Sequence, residues 1–434
     1  MLSPGQRIDL AIEKPAAGGR MIARSDGQVI LVSGAVPGER VIARVERTER
    51  RLAFASVVDV SEPSIDRRAG LADPACGGCV YSHIAYSRQL TLKSEIVLDA
   101  FLRLGRIPVD GPVDVTPSPE RDYRMRSRFH VDGARFGFYR EGTHTLCDAA
   151  ATGQVSESAL RAVASVVERL LDAGARASTI ELTESVDAGQ RAVSVTLDGD
   201  RAVAETALAS IATSDGLTGC AVRTADGARV ESGDPHVVDL FDVLTGGRVT
   251  HGELRRHAES FFQANRFLVP GLVTAALDSV CAGPVLDLYA GVGLFSIALA
   301  RAGLLEITAV EGDRISGIDL QHNARSAANS ADAVEVVHDS VEHFLQASFS
   351  RPGSRPGTVI VDPPRTGISA EAMTPLVKIG APRLVYVSCD PATMARDARR
   401  LLDGGYRLES LRAFDLFPNT PHVECFGVFL RDRS

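Results

Sequence analysis

The sequence lacks the features that mark membrane-spanning and secreted proteins. None of its uninterrupted apolar runs reaches the roughly 18 residues of a spanning helix. The opening stretch MLSPGQRIDLAIEKP contains no apolar core of a secretory signal. Cysteine is scarce as well, because the 434 residues include only seven, an odd number that argues against a disulfide framework. These absences predict a cytoplasmic protein with reduced thiols and no contact with a membrane.

The sequence also has no excess of positively charged residues. The net charge of −8 speaks mildly against a nucleic-acid partner, because phosphate binding favours a basic surface. Residues 121–140, RDYRMRSRFHVDGARFGFYR, depart from this average with six arginines, two aspartates and five interleaved Phe and Tyr residues. Guanidinium groups beside aromatic rings favour contact with single-stranded RNA. A hairpin with a solvated arginine face and a buried aromatic face explains the stretch equally well.

Turns and apolar periodicity divide the chain into three parts and predict a multidomain α/β protein. Residues 1–60 show short alternating strands with glycine turns, which is typical of a small β-barrel. Residues 61–250 mix strands with helices predicted at 85–105 and 156–174, which indicates an α+β middle domain. Strands and helices alternate through 251–434, and this alternation predicts a doubly wound, largely parallel sheet.

A glycine turn in the third part is a candidate cofactor loop. VLDLYAGVGLFSIALARAG predicts a buried strand, a turn at Gly291 and Gly293, and a helix. Asp287 lies near the carboxyl end of this strand, where open α/β sheets bind ligands. Glu311 ends the next predicted strand, at the distance expected of a ribose-binding acid. The loop lacks the third glycine of a pyrophosphate site, so it favours S-adenosylmethionine. A packing turn beside solvated acids is the alternative.

The remaining candidate groups lie at the ends of two later predicted strands and at the start of the last one. Asp362 stands in IVDPPRTG, where Arg365 replaces the aromatic residue of exocyclic-amine methyltransferases and so argues against amine methylation. Cys389 follows the predicted strand RLVYVS and precedes a helix, whose N-terminus is expected to lower the thiol pKa and favour thiolate. A buried structural cysteine is the alternative. Glu424 is the first residue of the last predicted strand. It is either a base at the same edge of the sheet or an ion-paired carboxylate at the start of the strand.

Several separated motifs together resemble the RNA 5-methyluridine methyltransferase family. They occur in the family's order: SFFQANRF, DLYAGVGLFSIALA, VEGD, VDPPRTG, YVSCDP and PHVE. Residues 1–60 resemble the family's TRAM barrel, so the resemblance covers nearly the whole chain. It implies an RNA-binding middle domain at 61–250 and a Rossmann-like class I methyltransferase domain at 251–434. S-adenosylmethionine is the implied cofactor and transfer or ribosomal RNA the implied substrate.

The resemblance also implies a role for individual residues. Cys389 corresponds to the nucleophile and Glu424 to the general base. The implied contacts to S-adenosylmethionine are Gln263, Tyr289, Glu311 and Asp362, of which Gln263, with Asn265, is expected on a helix that links the domains. The RNA contacts expected from the arginine-rich stretch are Arg124, Arg126, Arg128 and Phe138.

Two other functions fit parts of the sequence. One is an RNA-binding or RNA-folding protein with a vestigial methyltransferase domain, although every expected catalytic residue type is present. The other is an RNA cytosine 5-methyltransferase, which usually has Pro-Cys at the turn where this chain has Pro-Pro-Arg. We expect a monomer without an obligate protein partner.

Some members of the family bind a [4Fe–4S] cluster through C-x5-C-G-G-C and a distant fourth cysteine. Only Cys76 and Cys79 match this pattern. Gly70 stands in the place of the first cysteine, and Cys147 lies near the fourth position without matching it. We therefore expect neither an iron–sulfur cluster nor another metal.

Overall fold

The computed structural model describes residues 2–211, 216–281, 283–327, 333–348 and 355–431, so the last three residues of the predicted third domain lie outside it. A barrel, a mixed α/β region and a doubly wound sheet follow one another along the chain. The predicted multidomain α/β fold class is confirmed. Within the described ranges, none of the helices combines the length and the apolar character needed to cross a membrane.

The N-terminal strands close into a barrel in the order β1-β2-β3-β5-β4. Alternate side chains point inward, as the period of two in a strand requires, and Ile30 and Val32 are fully buried. The strands are β1 (Arg7–Pro15), β2 (Met21–Ser25), β3 (Gln28–Ser33), β4 (Arg40–Thr48) and β5 (Leu52–Glu62).

A helix and a short strand connect the barrel to both later regions. Helix α1 (Tyr86–Ala100) runs into a π-helical turn at Phe101–Gly105, so the two together span the helix predicted at 85–105. Strand β6 (Val115–Thr116) then joins the edge of the C-terminal sheet. The connector is therefore built into the C-terminal sheet.

The middle region is a seven-stranded sheet with two helices on one face. The helices pack onto the sheet through a shared apolar core, and Ser156 caps the first of them by accepting a hydrogen bond from the Ala159 N–H at 3.3 Å. The sheet order is β13-β12-β11-β10-β7-β8-β9. The elements are β7 (Arg126–Asp132), β8 (Arg135–Tyr139), β9 (Leu146–Asp148), α2 (Glu157–Asp172), β10 (Arg176–Glu184), β11 (Arg191–Asp198), α3 (Arg201–Ile211), β12 (Gly219–Thr224) and β13 (Arg229–Gly233).

A small hairpin leads into the C-terminal sheet, which has eight strands. The hairpin comprises β14 (His236–Leu240), α4 (Phe241–Leu244) and β15 (Glu253–His257). The strands that follow are β16 (Val285–Leu288), β17 (Ile307–Glu311), β18 (Val334–His338), β19 (Thr358–Val361), β20 (Arg383–Ser388), β21 (Tyr406–Phe414) and β22 (Glu424–Arg431). The helices are α5 (Val269–Ser279), α6 (Leu294–Arg301), α7 (Arg314–Ala327), α8 (Val341–Ser348), α9 (Ala370–Ile379) and α10 (Pro391–Asp403).

The direction of the strands decides where the candidate residues lie. The order is β18-β17-β16-β19-β20-β22-β21-β6, with parallel pairing from β18 to β20. Strand β22 runs antiparallel to β20, so the first residue of β22 lies at the carboxyl edge of the parallel strands. Strand β21, which alternates charged and apolar residues, was not predicted from the sequence.

Candidate active site

Cys389 and Glu424 are brought together by the pairing of β20 with β22. The last paired residues are Ser388 and Cys425, so one further step along both strands places Cys389 beside Glu424. Directly opposed residues of antiparallel strands lie about 4.5–5.5 Å apart at Cα. Glu424 is 2% exposed, whereas Cys389 is half-buried. The space at the carboxyl edge of the parallel strands, beside Cys389, Glu424 and Asp362, is the crevice of this sheet. Cys425 is fully buried in the apolar core, as the alternation of side chains requires.

The expected lowering of the Cys389 pKa by a helix N-terminus is wrong. Helix α10 does begin two residues later, and its cap is Asp390, whose carboxylate accepts a hydrogen bond from the Thr393 N–H at 2.7 Å. Burial of the thiol, followed by the negative charge of Glu424, raises the Cys389 pKa to about 11. Arg365 opposes this shift through its charge and a hydrogen bond to the thiol.

Two carboxyl groups face the thiol. Burial raises the pKa of Glu424 well above its ordinary value, and the charge of Asp362 raises it further, while Arg365 lowers it. Burial also raises the pKa of Asp362, against a hydrogen bond that the Gln263 amide donates to its carboxylate at 3.3 Å. Because both groups favour the neutral form, this edge of the sheet can hold or release a proton near the thiol.

Arg365 acts on the charges of this site, although the sequence analysis assigned it no role there. Its charge lowers the pKa values of Cys389 and Glu424, and it also acts on Arg124 of the middle region. The signal was its position directly after the Pro-Pro turn at the carboxyl edge of β19. Arg365 is exposed, so its guanidinium can stabilise an anion in the crevice.

The loop after β16 forms the other side of the crevice. Tyr289 and Gly291 both have positive φ, at 62° and 58°. Glu311, at the end of β17, accepts a hydrogen bond from the Gly291 N–H at 2.7 Å, so the predicted acid contacts the predicted loop. A Cβ atom added at Gly291 would meet no atom within 4 Å, which indicates open space above the turn. The loop therefore leaves room for a ligand beside a carboxylate.

Polar atoms buried under this loop have no partner in the described part of the chain. They are one carboxylate oxygen of Asp287 and the hydroxyl groups of Tyr289 and Ser296. Asp287 is fully buried, its other oxygen accepts from the Ser296 N–H at 3.1 Å, and burial raises its pKa to about 7. Buried polar groups are normally hydrogen-bonded, so these orphaned atoms fit a polar ligand in the crevice.

Gln263 and Asn265 do not lie on a linker helix as expected, because α5 begins only at Val269. Both side chains are buried in the loop that precedes it. Asn265 donates to the Ser118 hydroxyl at 2.8 Å and to the Leu416 carbonyl at 3.1 Å, so its role is to join chain segments. Gln263 reaches Asp362 and so belongs to the crevice.

The predicted RNA-contact arginines follow β7 away from the crevice. Arg124 donates to the Gln154 side chain at 2.8 Å, and its guanidinium lies 5.9 Å from the ring of Phe417. Arg126 and Arg128 both pair with Glu181, at 2.9 and 2.5 Å. All three are therefore on or beside one strand that starts at the crevice.

The expected RNA contact from Phe138 is not supported by its position. Phe138 is 8% exposed and packs in the middle-region core, with its ring centroid 5.4 Å from that of Phe129. The guanidinium of Arg124 lies 5.5 Å from the Phe138 ring. The physical reason is strand alternation, which turns Phe129 and Phe138 toward the core. Phe138 therefore packs in the core beside Arg124.

The cysteines of the middle region differ from expectation in one respect. All thiols were expected to be reduced, but the structure contains a Cys76–Cys147 disulfide with Cα atoms 5.9 Å apart. Pairing of β8 with β9 and a bridge between Cys76 and Arg140 bring them together. Cys79 is a buried free thiol. Across the described ranges, no group of three or more His, Cys, Asp or Glu side chains is arranged to hold a metal.

Comparison with known proteins agrees with this architecture. Residues 246–433 match the family described as tRNA (Uracil-5-)-methyltransferase, and residues 2–58 match the TRAM domain. The chain is 33% identical to an uncharacterized RNA methyltransferase of Streptomyces coelicolor, over 98% of this chain and 93% of that protein. It is 31% identical to the 23S rRNA (uracil(1939)-C(5))-methyltransferase RlmD of Pseudomonas fluorescens, over 98% and 92% of the two chains.

A solved structure shares the fold. The tRNA (uracil-54, C5)-methyltransferase of Pyrococcus abyssi, in complex with S-adenosyl-L-homocysteine, superposes with a TM-score of 0.73 at 23% identity. The match covers 98% of this chain and 100% of that one. From its sequence relatives over nearly the whole length, the chain belongs to the RNA uracil-5-methyltransferase family.

Proposed function

We propose that this protein methylates carbon 5 of a uridine in RNA with S-adenosylmethionine as methyl donor, Cys389 as nucleophile and Glu424 as general base. The observation that carries the proposal is the β20–β22 register, which sets the thiol beside the carboxyl group at the carboxyl edge of the sheet. Asp362 and the loop contacted by Glu311 lie at the same edge. Nucleophile, base and cofactor loop thus share one crevice.

The crevice fits S-adenosylmethionine in its donors and acceptors. Glu311 is placed to bind ribose hydroxyls, and the open space above Gly291 accommodates a ligand close to the backbone. The polar atoms of Tyr289, Gln263 and Asp362 surround the rest of the pocket. When bound, S-adenosylmethionine supplies an electrophilic methyl group.

The residue types match what uracil methylation requires. Carbon 5 of uracil is a poor nucleophile, and addition of the Cys389 thiolate to carbon 6 places electron density on carbon 5. After carbon 5 has accepted the methyl group, its proton must be removed before the Cys389 sulfur can leave. Glu424 lies beside the thiol and, in its ionised form, is suited to take that proton. Arg365 favours the ionised forms of both groups.

Because the pKa of the Cys389 thiol is raised, this mechanism requires the thiol to be deprotonated. At neutral pH Cys389 is protonated in the free protein, so the thiol must release its proton to water before or as its sulfur adds to carbon 6. The contact with Arg365 lowers the free energy of the thiolate. A uridine stacked inside a helix cannot reach the crevice, so the target must be unpaired or flipped out. We propose that Arg124, Arg126 and Arg128, together with the barrel, hold the flanking RNA.

The proposal is tested by nucleoside mass spectrometry of RNA from a deletion strain, with transfer RNA and ribosomal RNA analysed separately. We expect 5-methyluridine to be lost from one fraction, which identifies the substrate class. The wild-type gene should restore the modification, whereas Cys389→Ala should not, although the variant should still bind S-adenosylmethionine. Unchanged 5-methyluridine in both fractions of the deletion strain contradicts the proposal.

A further inference from the structure

Strand alternation divides the arginine-rich stretch between two faces of the middle sheet. On β7, Phe129 points into the core, while Arg128 and His130 point to the opposite face. On β8, the pairing of His130 with Gly137 places Tyr139 on the same face as His130. The aromatic residues that accompany the arginines at the surface are therefore His130 and Tyr139.

These two rings form a stack outside the core. Their centroids are 3.7 Å apart and their planes differ by 11°. His144 adds a third ring, edge-on to Tyr139 with centroids 5.2 Å apart. The burial of His130, and the positive charge of Arg128 and His144, lower the pKa of His130 and favour its neutral ring. Parallel rings at this separation form a flat platform for a further π system.

Positive charge borders the platform on its β7 side. Arg126 and Arg128 share one carboxylate, Glu181, so the group carries an excess of one positive charge. Arg128 is 63% exposed, which leaves its guanidinium accessible to a phosphate while it contacts Glu181. An arginine next to stacked rings suits a partner with alternating phosphates and flat bases.

The same strand connects the platform to the crevice. Arg124 contacts Phe417, and Phe417 packs edge-on against His422 two residues before Glu424. Burial lowers the pKa of Arg124, and the positive charge of Arg365, which lies beside the thiol, also lowers it. From Arg124 to His130 the extended chain covers roughly 20 Å, so a strand of RNA leaving the crevice would follow β7 to the platform.

We propose that single-stranded RNA flanking the target uridine runs along this face and that one unpaired base stacks on the His130–Tyr139 pair. The inference rests on the proposed function for the identity of the RNA. The inference adds to that function a binding site for one RNA base, away from the reacting atoms. The platform contributes affinity and leaves the rate at saturating RNA unchanged.

The test compares two double variants, His130→Ala with Tyr139→Ala and His130→Phe with Tyr139→Phe. Binding is measured by fluorescence anisotropy with a short labelled oligouridylate, and circular dichroism confirms the fold. Stacking is worth about 1–3 kcal/mol per base, so we expect the alanine pair to weaken binding about tenfold. The phenylalanine pair should bind within about twofold of wild type.

A second measurement separates this inference from the proposed function. On RNA that the wild type methylates, the alanine pair should raise KM about tenfold and leave kcat unchanged. Unchanged oligouridylate affinity in the alanine pair, or equal weakening in both pairs, overturns the stacking proposal. If the wild type methylates no RNA, the proposed function fails, while the oligouridylate measurement still decides whether the platform binds a base.

Discussion

The catalytic edge and the outer face of the middle sheet hold their charged groups in opposite ways. At the edge, Glu424 and Asp287 are buried, and neither has an ion-pair partner within 4 Å among the described residues. On the outer face, Arg126 and Arg128 are paired with Glu181 and lie in contact with solvent. Burial raises the pKa of both acids at the edge, whereas solvent screens the Arg128 guanidinium on the face.

The difference indicates that the catalytic edge serves the chemical step and the outer face serves RNA binding. A buried acid with a raised pKa can exchange a proton close to its reaction partner, so substitutions at the edge should change the chemical step. A screened, exposed arginine contributes little to stability, so substitutions on the outer face should change RNA affinity. The predictions that follow test this contrast, beginning with the largest effect.

Glu424→Gln should give the largest change. Because the amide cannot accept the carbon 5 proton, we expect turnover to fall by roughly 10²–10⁴, with methylated RNA remaining attached to Cys389. The measurement is denaturing gel electrophoresis of the protein–RNA adduct formed with ordinary uridine RNA. Glu409→Gln, at an exposed residue of β21, is the control. Equal turnover of Glu424→Gln and wild type would exclude the base role.

Lys93→Met tests a buried pair away from the thiol. The Lys93 ammonium contacts the Asp415 carboxylate and donates to the Phe417 carbonyl at 3.0 Å, and both charged side chains are fully buried. Loss of one partner leaves a buried charge, so the free energy of unfolding should fall by about 3–5 kcal/mol. Denaturant titration measures the change. The double variant Lys93→Met with Asp415→Asn should recover part of it, and a loss below about 1 kcal/mol would contradict the account.

The pH dependence of Cys389 reactivity tests whether burial at the catalytic edge raises the pKa of the thiol. With a pKa near 11, the thiolate fraction increases about tenfold per pH unit across the neutral range, because the thiol is protonated below its pKa. We expect the rate of alkylation by iodoacetamide, followed by peptide mass spectrometry, to rise from about pH 7 to about pH 9 without a plateau. A plateau near neutral pH would show that the thiol pKa is low.

Arg128→Ala should give the smallest effect on stability. Its ion pair with Glu181 is exposed, so we expect the free energy of unfolding to change by less than about 1 kcal/mol. RNA affinity should fall a few-fold, and the slope of log K against log salt should decrease by about one. Arg161→Ala removes a comparable exposed pair on α2. Equal losses of affinity in the two variants would argue against a specific RNA contact at Arg128.

The sequence was sufficient for features that depend on strand ends. Parallel strands end at one edge of a sheet, so the sequence alone predicts that Asp362, Cys389 and the Glu311 loop lie together. What it missed depends on contacts between distant segments. Burial of Cys389 beside Glu424 reversed the expected pKa shift. The Cys76–Cys147 disulfide joins residues 71 positions apart.

The aromatic residues of the arginine-rich stretch show the same limit. Composition alone placed arginines and rings together, but strand register decides which rings share the arginine face. That register buries Phe138 and leaves the half-buried stack of His130 and Tyr139 on the arginine face. A shift of one residue would exchange the two faces, so the sequence pattern could not separate them.

The central claim is that the sulfur of Cys389 adds to carbon 6 of the target uracil. RNA carrying 5-fluorouridine at the target tests it most directly, because fluorine at carbon 5 cannot be removed as a proton and the adduct persists. The account predicts a stable protein–RNA complex, dependent on S-adenosylmethionine, with the modified nucleotide attached to the peptide containing Cys389. An enzyme that methylates ordinary RNA yet forms no such complex would contradict it.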